Sequence, residues 1–328
     1  MKKRILGKTN IEVTELSLGG LFISSIGGEF DQSKAAALRA LDLGMNFVDT
    51  APGYGNSEEV LGQILSGVDK PYVISTKLGG RPQPFLPKDK GCLLKSVEMS
   101  LKALKRDSID FLMIHEPDRP QEYDWWDDYD KADGPVMEVF EQLKSEKIIK
   151  HIGLGGTSAY QMARIMESGK FDVVLTAYNY SLLFREAQLE IFPAAKKLGM
   201  GVIIGSPLQQ GMLARRYDDV VKSAPRWMSK KRREQFLELY KLLDDENITL
   251  PELGLRFVLS NPDVSTVLTG VRSVDEVNSS VSAAEKGPLP QKLMDRLDEI
   301  YAIQPFRPFE EPVGLPFGGD YAGLGRLG

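Results

Sequence analysis

The chain has 328 residues, of which 42% are apolar and 27% charged, and its formal net charge is −5. This composition is typical of a globular protein with a substantial core, and the acidic balance argues against a nucleic-acid partner. A single cysteine excludes a disulfide scaffold and a cysteine-based metal site. No apolar h-region follows the charged start, and no apolar run could span a bilayer. The sequence therefore predicts no secretory signal, no membrane partner and a cytoplasmic protein.

Strand and helix patterns alternate along the whole chain. Residues 5–13 predict a short N-terminal β-hairpin with its turn at Gly7–Asn10. Apolar runs typical of buried parallel strands follow at 14–20, 45–50, 72–77, 109–116, 151–156, 172–179, 201–207 and 265–271. Helical patterns separate or follow them at 33–44, 57–67, 93–105, 135–147, 159–169, 185–199, 230–260 and 273–286.

This α/β alternation without an interrupting linker predicts a (β/α)8 TIM barrel, a single domain over residues 1–328. A doubly wound open sheet is the alternative, but it would normally carry a glycine-rich G-x-G-x-x-G turn after its first strand, and none is found. The long connections 79–92, 116–134 and 207–229 each follow a strand. We therefore expect them on the C-terminal face, where barrel enzymes build their sites. Residues 304–328, rich in Pro, Gly and Phe, form a C-terminal tail that is either a loose end or an arm packed on the barrel.

Four reactive side chains lie at or just beyond the ends of consecutive strands. Asp49 ends the second barrel strand, Lys77 the third and His115 the fourth, while Tyr54 lies in the loop after the second. Such strand ends meet at one mouth of a parallel barrel, so we expect the four groups to lie together. Each alone has an ordinary structural explanation as a cap, a turn residue or a solvated charge, but their joint register favours a function.

These groups suit the protonation of a carbonyl oxygen whose carbon accepts hydride. A lysine ammonium about 4 Å from a phenol could lower the phenol pKa by as much as about three units. The aspartate would keep the lysine charged, and the histidine could orient the carbonyl oxygen. The helix after Tyr54 is predicted to begin at Asn56, with Glu59 reaching back to cap it.

At these residues, and over most of its length, the sequence resembles the aldo-keto reductase family. The resemblance is carried by the hairpin start, VDTAPGYGNSEEVLG at 48–62, STK at 75–77, the strand-four histidine, IGLGG at 152–156, YN at 178–179, SPLQQGML at 206–213 and TGVRSVDEV at 269–277. It implies an extended nicotinamide dinucleotide across the barrel mouth. It also implies that Tyr54 donates the proton, that Lys77 and Asp49 tune it, and that His115 orients the substrate.

The resemblance further implies a set of cofactor contacts. They are Gly20, Asp49, Gly155, Gly156, Asn179, Ser206, Leu208, Gly211, Gly270, Arg272, Ser273 and Glu276. The sequence departs from the common pattern where Gly155-Gly156 replaces a Ser-Asn pair, Leu175 a glutamine and Gly205 a tyrosine. Bare glycine backbone could make equivalent contacts, and the departures are similar to those of galactose and other aldose dehydrogenases.

Residues 270–276 are where this resemblance implies the adenosine ribose. Arg272 and Ser273 offer donors for the 2′-phosphate of NADP, and the helix N-terminus adds its partial positive charge. Glu276 would instead accept hydrogen bonds from the unphosphorylated ribose of NAD, or would simply complement the helix dipole. We expect NADP as the cofactor, with NAD possible.

The loop 116–134 interleaves acids with aromatic residues. It holds Trp125 and Trp126, two of the three tryptophans of the chain. An aromatic face beside hydrogen-bond acceptors suits a polyol, so these two residues are expected to line the pocket with Tyr54 and His115. The substrate expected is a sugar or another hydroxylated carbonyl compound. The alternative is a loop folded on its own aromatic residues, with a solvated acidic rim.

Two other functions stay open at this point. A metal-dependent barrel lyase or isomerase could use Asp49, His115, Glu116 and Asp118 as ligands, although a single histidine makes a poor transition-metal site. A non-enzymatic regulatory subunit could bind the dinucleotide without turning it over. The sequence does not indicate which oligomeric state the protein adopts.

Overall fold

The computed structural model describes residues 1–307 and shows a closed barrel of eight parallel strands. An antiparallel hairpin precedes it, formed by β1 (Lys3–Ile5) and β2 (Glu12–Thr14). The barrel strands are β3 (Leu16–Gly19), β4 (Phe47–Asp49), β5 (Val73–Leu78), β6 (Ile109–His115), β7 (Ile149–Gly156), β8 (Val173–Ala177), β9 (Gly201–Gly205) and β10 (Thr266–Gly270). They pair in chain order, and β10 closes the barrel on β3.

Helices surround this barrel. They are α1 (Phe30–Asp42), α2 (Ser57–Leu65), α3 (Lys90–Leu104), α4 (Pro135–Ser145), α5 (Ala159–Met166), α6 (Ile191–Leu198), α7 (Asp218–Ser223), α8 (Lys230–Glu246), α9 (Leu250–Leu259), α10 (Val274–Glu285) and α11 (Gln291–Ile303). The predicted (β/α)8 fold is confirmed. In the part of the chain that the structure describes, no helix is both long enough and apolar enough to cross a membrane.

The single long helix predicted over 230–260 is wrong, because the chain breaks between α8 and α9. Asn247 takes a left-handed conformation with φ of 47°, and the Thr249 hydroxyl then accepts from the backbone N–H of Glu252 to begin α9. Helix α11 was not predicted. Most of the predicted tail, residues 308–328, lies outside the described residues.

The barrel interior is filled below the level of the candidate site. Phe47, Phe111, Met113 and Ile203 form a buried cluster there, joined by Leu6 from the hairpin connection. Successive strand residues point to opposite faces, so Asp49 shares the inward face of Phe47, two residues before it. The polar ends of β4 to β6 therefore rest on a packed apolar floor, and the ligand space lies above them.

Candidate active site

A buried ion pair joins the ends of β4 and β5. Lys77 Nζ lies 2.7 Å from Asp49 Oδ2 and donates a second hydrogen bond to the carbonyl of Thr50 at 2.8 Å. The Ser75 hydroxyl donates to Asp49 Oδ1 at 2.9 Å. Both charged side chains are about 1% exposed. Burial alone would lower the pKa of Lys77, but its interactions with Asp49 and Tyr54 together more than offset this and hold that pKa above its usual value, so an ammonium is kept at this point.

Tyr54 lies against this pair. The centroid of its ring is 4.8 Å from Lys77 Nζ, and it meets the His115 ring edge-on with centroids 5.7 Å apart. A tight turn carries it there: the backbone N–H of Tyr54 donates to the carbonyl of Ala51, and the N–H of Ser57 donates to the carbonyl of Tyr54. The fold thus brings the four predicted catalytic side chains into one cluster.

The predicted cap of α2 is not what the structure shows. Asn56 holds the N-cap position without a capping hydrogen bond, and its side-chain oxygen accepts from the backbone N–H of Ser25 at 2.7 Å. Glu59 does not reach back, because it pairs with Arg81 Nη1 at 2.8 Å. Arg81 also pairs with the buried carboxylate of Glu58. These ion pairs tie the start of α2, just after the tyrosine loop, to the loop that follows β5.

The ammonium of Lys77 does not bring the pKa of Tyr54 below its usual value, which corrects the expectation from the sequence. Burial of the phenol raises its pKa, and this effect outweighs the attraction of Lys77 for a phenolate. The negative charge of Asp49 also opposes phenolate formation. Tyr54 therefore holds its proton at neutral pH, the state in which it can donate to a carbonyl oxygen.

His115, at the end of β6, is a neutral imidazole. Burial, and then the positive charges of Lys77 and Arg119, lower the pKa of His115 to about 3. Gly79 makes room for it: a Cβ at this position would lie 3.1 Å from His115 Cβ, and its φ of +130° disfavours other residues. A neutral ring can donate one N–H to a carbonyl oxygen.

The two tryptophans lie beneath their loop and do not line the cavity formed by residues 1–307, which corrects the expectation from the sequence. Trp125 is fully buried and packs against Phe85, with ring centroids 5.5 Å apart. Its indole N–H donates to the carbonyl of His115 at 3.1 Å, and that of Trp126 donates to the carbonyl of Pro117 at 2.9 Å. The loop is folded on aromatic residues of its own and of other segments, and the indoles hold the backbone around His115.

The glycine pair that ends β7 has two different surroundings. A Cβ at Gly155 would lie 3.4 Å from Lys77 Cε, so this residue presents bare backbone towards the catalytic cluster. A Cβ at Gly156 would lie 2.2 Å from Asp118 Oδ1. Asp118 Oδ2 accepts from the backbone N–H groups of residues 157 and 158. Glycine at position 156 therefore allows Asp118 to fix the segment that follows β7.

A cavity of about 2190 Å³ extends from the catalytic cluster across the barrel mouth. This is more than twice the size of a usual small-ligand pocket and leaves room for a dinucleotide beside a substrate. It is lined by the four catalytic candidates and by Gly20, Gly155, Gly156, Asn179, Ser206, Leu208, Gly211, Gly270, Arg272 and Glu276. Among the predicted cofactor contacts, all within residues 1–307, only Ser273 does not line it. Its hydroxyl begins α10 by accepting from the N–H of Glu276 at 3.2 Å.

The cavity floor beside the cluster fits a flat ring. Gly205, at the end of β9, has no side chain, and a Cβ there would lie 3.2 Å from Leu175 and 3.3 Å from Ala177. Together with Gly155, it lets a planar group approach the strand ends closely. The side-chain amide of Asn179, which also lines the cavity, is held in place because its nitrogen donates two hydrogen bonds to the protein, at 3.0 and 2.8 Å. The residues present therefore fit the nicotinamide end of a dinucleotide.

The far end of the cavity is exposed. The guanidinium of Arg272 stacks on the ring of Phe22, 4.3 Å from its centroid. Glu276 Oε2 accepts from the backbone N–H of Arg272 at 2.7 Å, which gives the acid a role at the start of α10. The two side chains that the sequence suggests for the choice between NADP and NAD thus lie on one short segment.

Several lining residues were missed from the sequence. Glu116 and Arg119 line the cavity beside His115, and Phe22 lines it beside Arg272. The sequence named Glu116 as a possible metal ligand and as one of the acids in the loop 116–134, but did not single it out as a pocket residue. Its position directly after a strand-ending histidine was the available signal. Within residues 1–307, no group of three or more His, Cys, Asp or Glu side chains could hold a metal ion. The metal-dependent alternative gains no support from this.

Comparison with known proteins gives a consistent result. The model of the aldo/keto reductase family matches residues 15–302. L-galactose dehydrogenase from Arabidopsis thaliana is 28% identical, over 95% of this chain and 97% of that protein. NADH-specific methylglyoxal reductase from Escherichia coli is 28% identical, over 86% and 93%. A putative voltage-gated potassium channel subunit beta from Schizosaccharomyces pombe is 27% identical, over 92% and 94%.

A solved structure agrees with these relatives. The holo form of an aldo-keto reductase from Bacillus halodurans superposes with a TM-score of 0.73 at 26% identity, covering 92% of this chain and 96% of that one. The chain belongs to the aldo/keto reductase family, a family of oxidoreductases, and the resemblance predicted from the sequence is confirmed. Because one relative is named as a channel subunit, similarity to these proteins does not by itself imply catalysis.

Proposed function

We propose that this protein is an NAD(P)-dependent oxidoreductase that interconverts a carbonyl and an alcohol, with Tyr54 as general acid and base. The observation that carries this proposal is the buried Asp49–Lys77 ion pair, packed against the phenol and beside a neutral His115. Burying two charges costs free energy, and a barrel could fill this position with apolar residues. A role in proton transfer explains why this protein buries two charged side chains beside a phenol.

A bound nicotinamide dinucleotide would supply or accept the hydride at the substrate carbon. The side chains of the protein handle the proton at the substrate oxygen. In reduction, the Tyr54 phenol donates its proton to that oxygen and becomes a phenolate, and in oxidation the phenolate form removes a proton from the alcohol and becomes a phenol again. Lys77 stabilises the phenolate formed when Tyr54 gives up its proton, and Asp49 keeps Lys77 charged and in place. The N–H of His115 donates to the same oxygen and orients it.

The proposed cofactor is NADP, with NAD also usable. Gly155 and Gly205 would lie against the nicotinamide, and residues 206–211 would cover the pyrophosphate. Arg272 would bind the 2′-phosphate, because a guanidinium donates to phosphate oxygens in a fixed fork. The stacking of Arg272 on Phe22 supports this role, since it holds the guanidinium at the cavity rim.

The proposed substrate is a small sugar or another hydroxylated aldehyde or ketone. Two observations support this class. One relative is named L-galactose dehydrogenase. The cavity wall beside His115 also carries the charged side chains of Glu116 and Arg119, which suit hydroxyl groups better than an apolar aldehyde.

Turnover is the test. The purified protein is assayed for reduction of a carbonyl panel with NADPH and NADH, and for oxidation of an aldose panel with NADP and NAD, each with and without a chelator. We expect turnover that the chelator does not affect. Dinucleotide binding without turnover of any substrate would contradict the proposal. It would favour a regulatory subunit, the alternative that the similarity to a channel subunit supports.

A further inference from the structure

Glu116 follows His115 in a backbone conformation that favours glycine. Its φ is +50°, and a residue with a side chain stays there only when its surroundings determine it. Three contacts do so. The backbone N–H of Glu116 donates to the carbonyl of Gly155 at 2.7 Å. The indoles of Trp125 and Trp126 bind the carbonyls of the residues on either side of Glu116.

This turn places the carboxylate of Glu116 in the cavity wall. Glu116 is only 7% exposed, yet it lines the cavity next to the catalytic cluster. The hydroxyl of Thr157 donates to Glu116 Oε2 at 3.0 Å, and Arg119 Nη1 lies 3.6 Å from the same oxygen. A carboxylate has about four acceptor positions, so these contacts leave it able to accept from a ligand.

We propose that Glu116 is a specificity-determining residue, whose carboxylate accepts a hydrogen bond from a substrate hydroxyl next to the reacting carbonyl. Trp125 and Trp126 are positioning residues that hold its backbone for this contact. The inference rests on the proposed function. If His115 binds the carbonyl oxygen, a hydroxyl on the neighbouring carbon can reach the next residue along the chain. Aldoses and short α-hydroxy aldehydes carry that hydroxyl, whereas simple aldehydes lack it.

The site can discriminate between aldehydes because a buried acceptor such as the Glu116 carboxylate costs free energy when the bound substrate offers it no hydroxyl donor. A site built to bind a substrate hydroxyl rejects an analogue that lacks it more strongly than an apolar pocket rejects an extra group. Glu116 should therefore favour hydroxylated aldehydes over simple ones.

The experiment compares glyceraldehyde with propanal as probes. For wild type and Glu116→Gln, kcat/KM is measured with both aldehydes. At about pH 8, where the carboxyl of Glu116 is ionised, we expect the variant to lose about tenfold to a hundredfold with glyceraldehyde, the range for a hydrogen bond to a charged group, and not to lose efficiency with propanal. Asp127→Asn is the matched control, since this carboxylate lies in the same loop but pairs with Lys88 on the surface. It should leave both efficiencies unchanged.

Trp126→Phe tests whether the indole hydrogen bond beside Glu116 positions that residue. It removes the N–H donor to Pro117 and keeps an aromatic ring, and it leaves the bond from Trp125 to His115 in place. We expect a smaller shift of the glyceraldehyde-to-propanal ratio in the same direction, mainly through the KM for glyceraldehyde. An equal loss with both aldehydes would show a general structural role and would contradict the positioning role.

The outcomes separate this inference from the proposed function. If wild type reduces both aldehydes and Glu116→Gln leaves their ratio unchanged, the role of Glu116 is overturned while the reductase assignment stands. If wild type reduces no carbonyl compound, both are overturned. Thermal melting shows whether Glu116→Gln is folded. If Glu116→Gln is not folded, the glyceraldehyde-to-propanal ratio of Trp126→Phe tests the inference instead.

Discussion

The two ends of the cavity are built on different principles. At the catalytic end, Asp49 and Lys77 are about 1% exposed and lie 2.7 Å apart, and each makes one further hydrogen bond to the protein, at 2.9 and 2.8 Å. At the far end, Arg272 and Glu276 are exposed, and Arg272 rests on a phenyl ring. Buried charges depend on their partners, whereas exposed charges are screened by solvent. The chemistry should therefore tolerate little change, while the choice of cofactor should be adjustable by single substitutions.

The substitution with the largest expected effect at the buried end is Asp49→Asn. The change leaves Lys77 buried without its counter-charge, so we expect a loss of about 3–5 kcal/mol in the free energy of unfolding. A fall of at least about 100-fold in kcat should accompany it, because Lys77 without Asp49 tends to lose its proton when buried and then no longer stabilises the Tyr54 phenolate. Denaturant unfolding and steady-state kinetics measure the two effects.

The control for Asp49→Asn is Glu12→Gln. Glu12 pairs with Lys3 at 2.9 Å in an exposed ion pair. Its loss should cost less than about 1 kcal/mol and should leave kcat unchanged. Similar losses of stability in the two variants would show that the difference between buried and exposed pairs does not hold in this protein.

The exposed end is tested by Arg272→Ala. If Arg272 binds the 2′-phosphate, kcat/KM with NADP should fall by about tenfold to a hundredfold and that with NAD should hardly change. Glu276→Gln, on the same segment, should not weaken NADP use, since it removes a negative charge. Equal losses with both cofactors in Arg272→Ala would contradict the assignment and favour an NAD enzyme with Glu276 on the ribose.

A smaller effect is expected from pH. Burial, and then the negative charge of Asp118, raise the pKa of Glu116 to about 7. Below that pH the carboxyl is protonated and loses its charge, so the preference for glyceraldehyde over propanal should fall several-fold between about pH 8 and about pH 6. The ratio in Glu116→Gln should not change over this interval.

Other groups that titrate or carry charge face Glu116 and could contribute to such a profile. They are Asp118, Arg119, Glu122, Tyr54 and Tyr123. Their effects would persist in Glu116→Gln, whereas that of Glu116 would disappear. An identical fall of the ratio in wild type and variant would therefore assign the pH dependence to another group.

The catalytic end could be predicted from the sequence because strand periodicity determines it. An acid, a lysine and a histidine that each end a consecutive buried strand must meet at the mouth of a parallel barrel, whatever the loops do. The break between α8 and α9 was also signalled, by Thr249 as an N-cap and by Pro251 in the first turn, but the apolar pattern on both sides concealed it.

The loops and the electrostatics could not be predicted in this way. Whether Trp125 faces the cavity depends on its packing with Phe85, which lies 40 positions earlier in another loop. The pKa of Tyr54 depends on opposing effects, the largest being burial, and a spacing pattern shows the attraction of Lys77 but not the depth of burial. Glu116 was not singled out among the acids of its loop for a similar reason, since its place in the wall depends on a left-handed turn that is fixed by the indoles of Trp125 and Trp126.

The central claim, that the buried pair serves proton transfer by Tyr54, is tested most directly by comparing kcat with dinucleotide affinity in Tyr54→Phe. Phenylalanine keeps the ring and removes the proton donor. Single-turnover kinetics should show a fall of about 10²–10⁴-fold in the chemical step, while the Kd for NADPH from fluorescence titration should stay nearly the same. A variant that keeps more than about a tenth of wild-type kcat would contradict the account. A loss of activity explained by weaker NADPH binding would also contradict it.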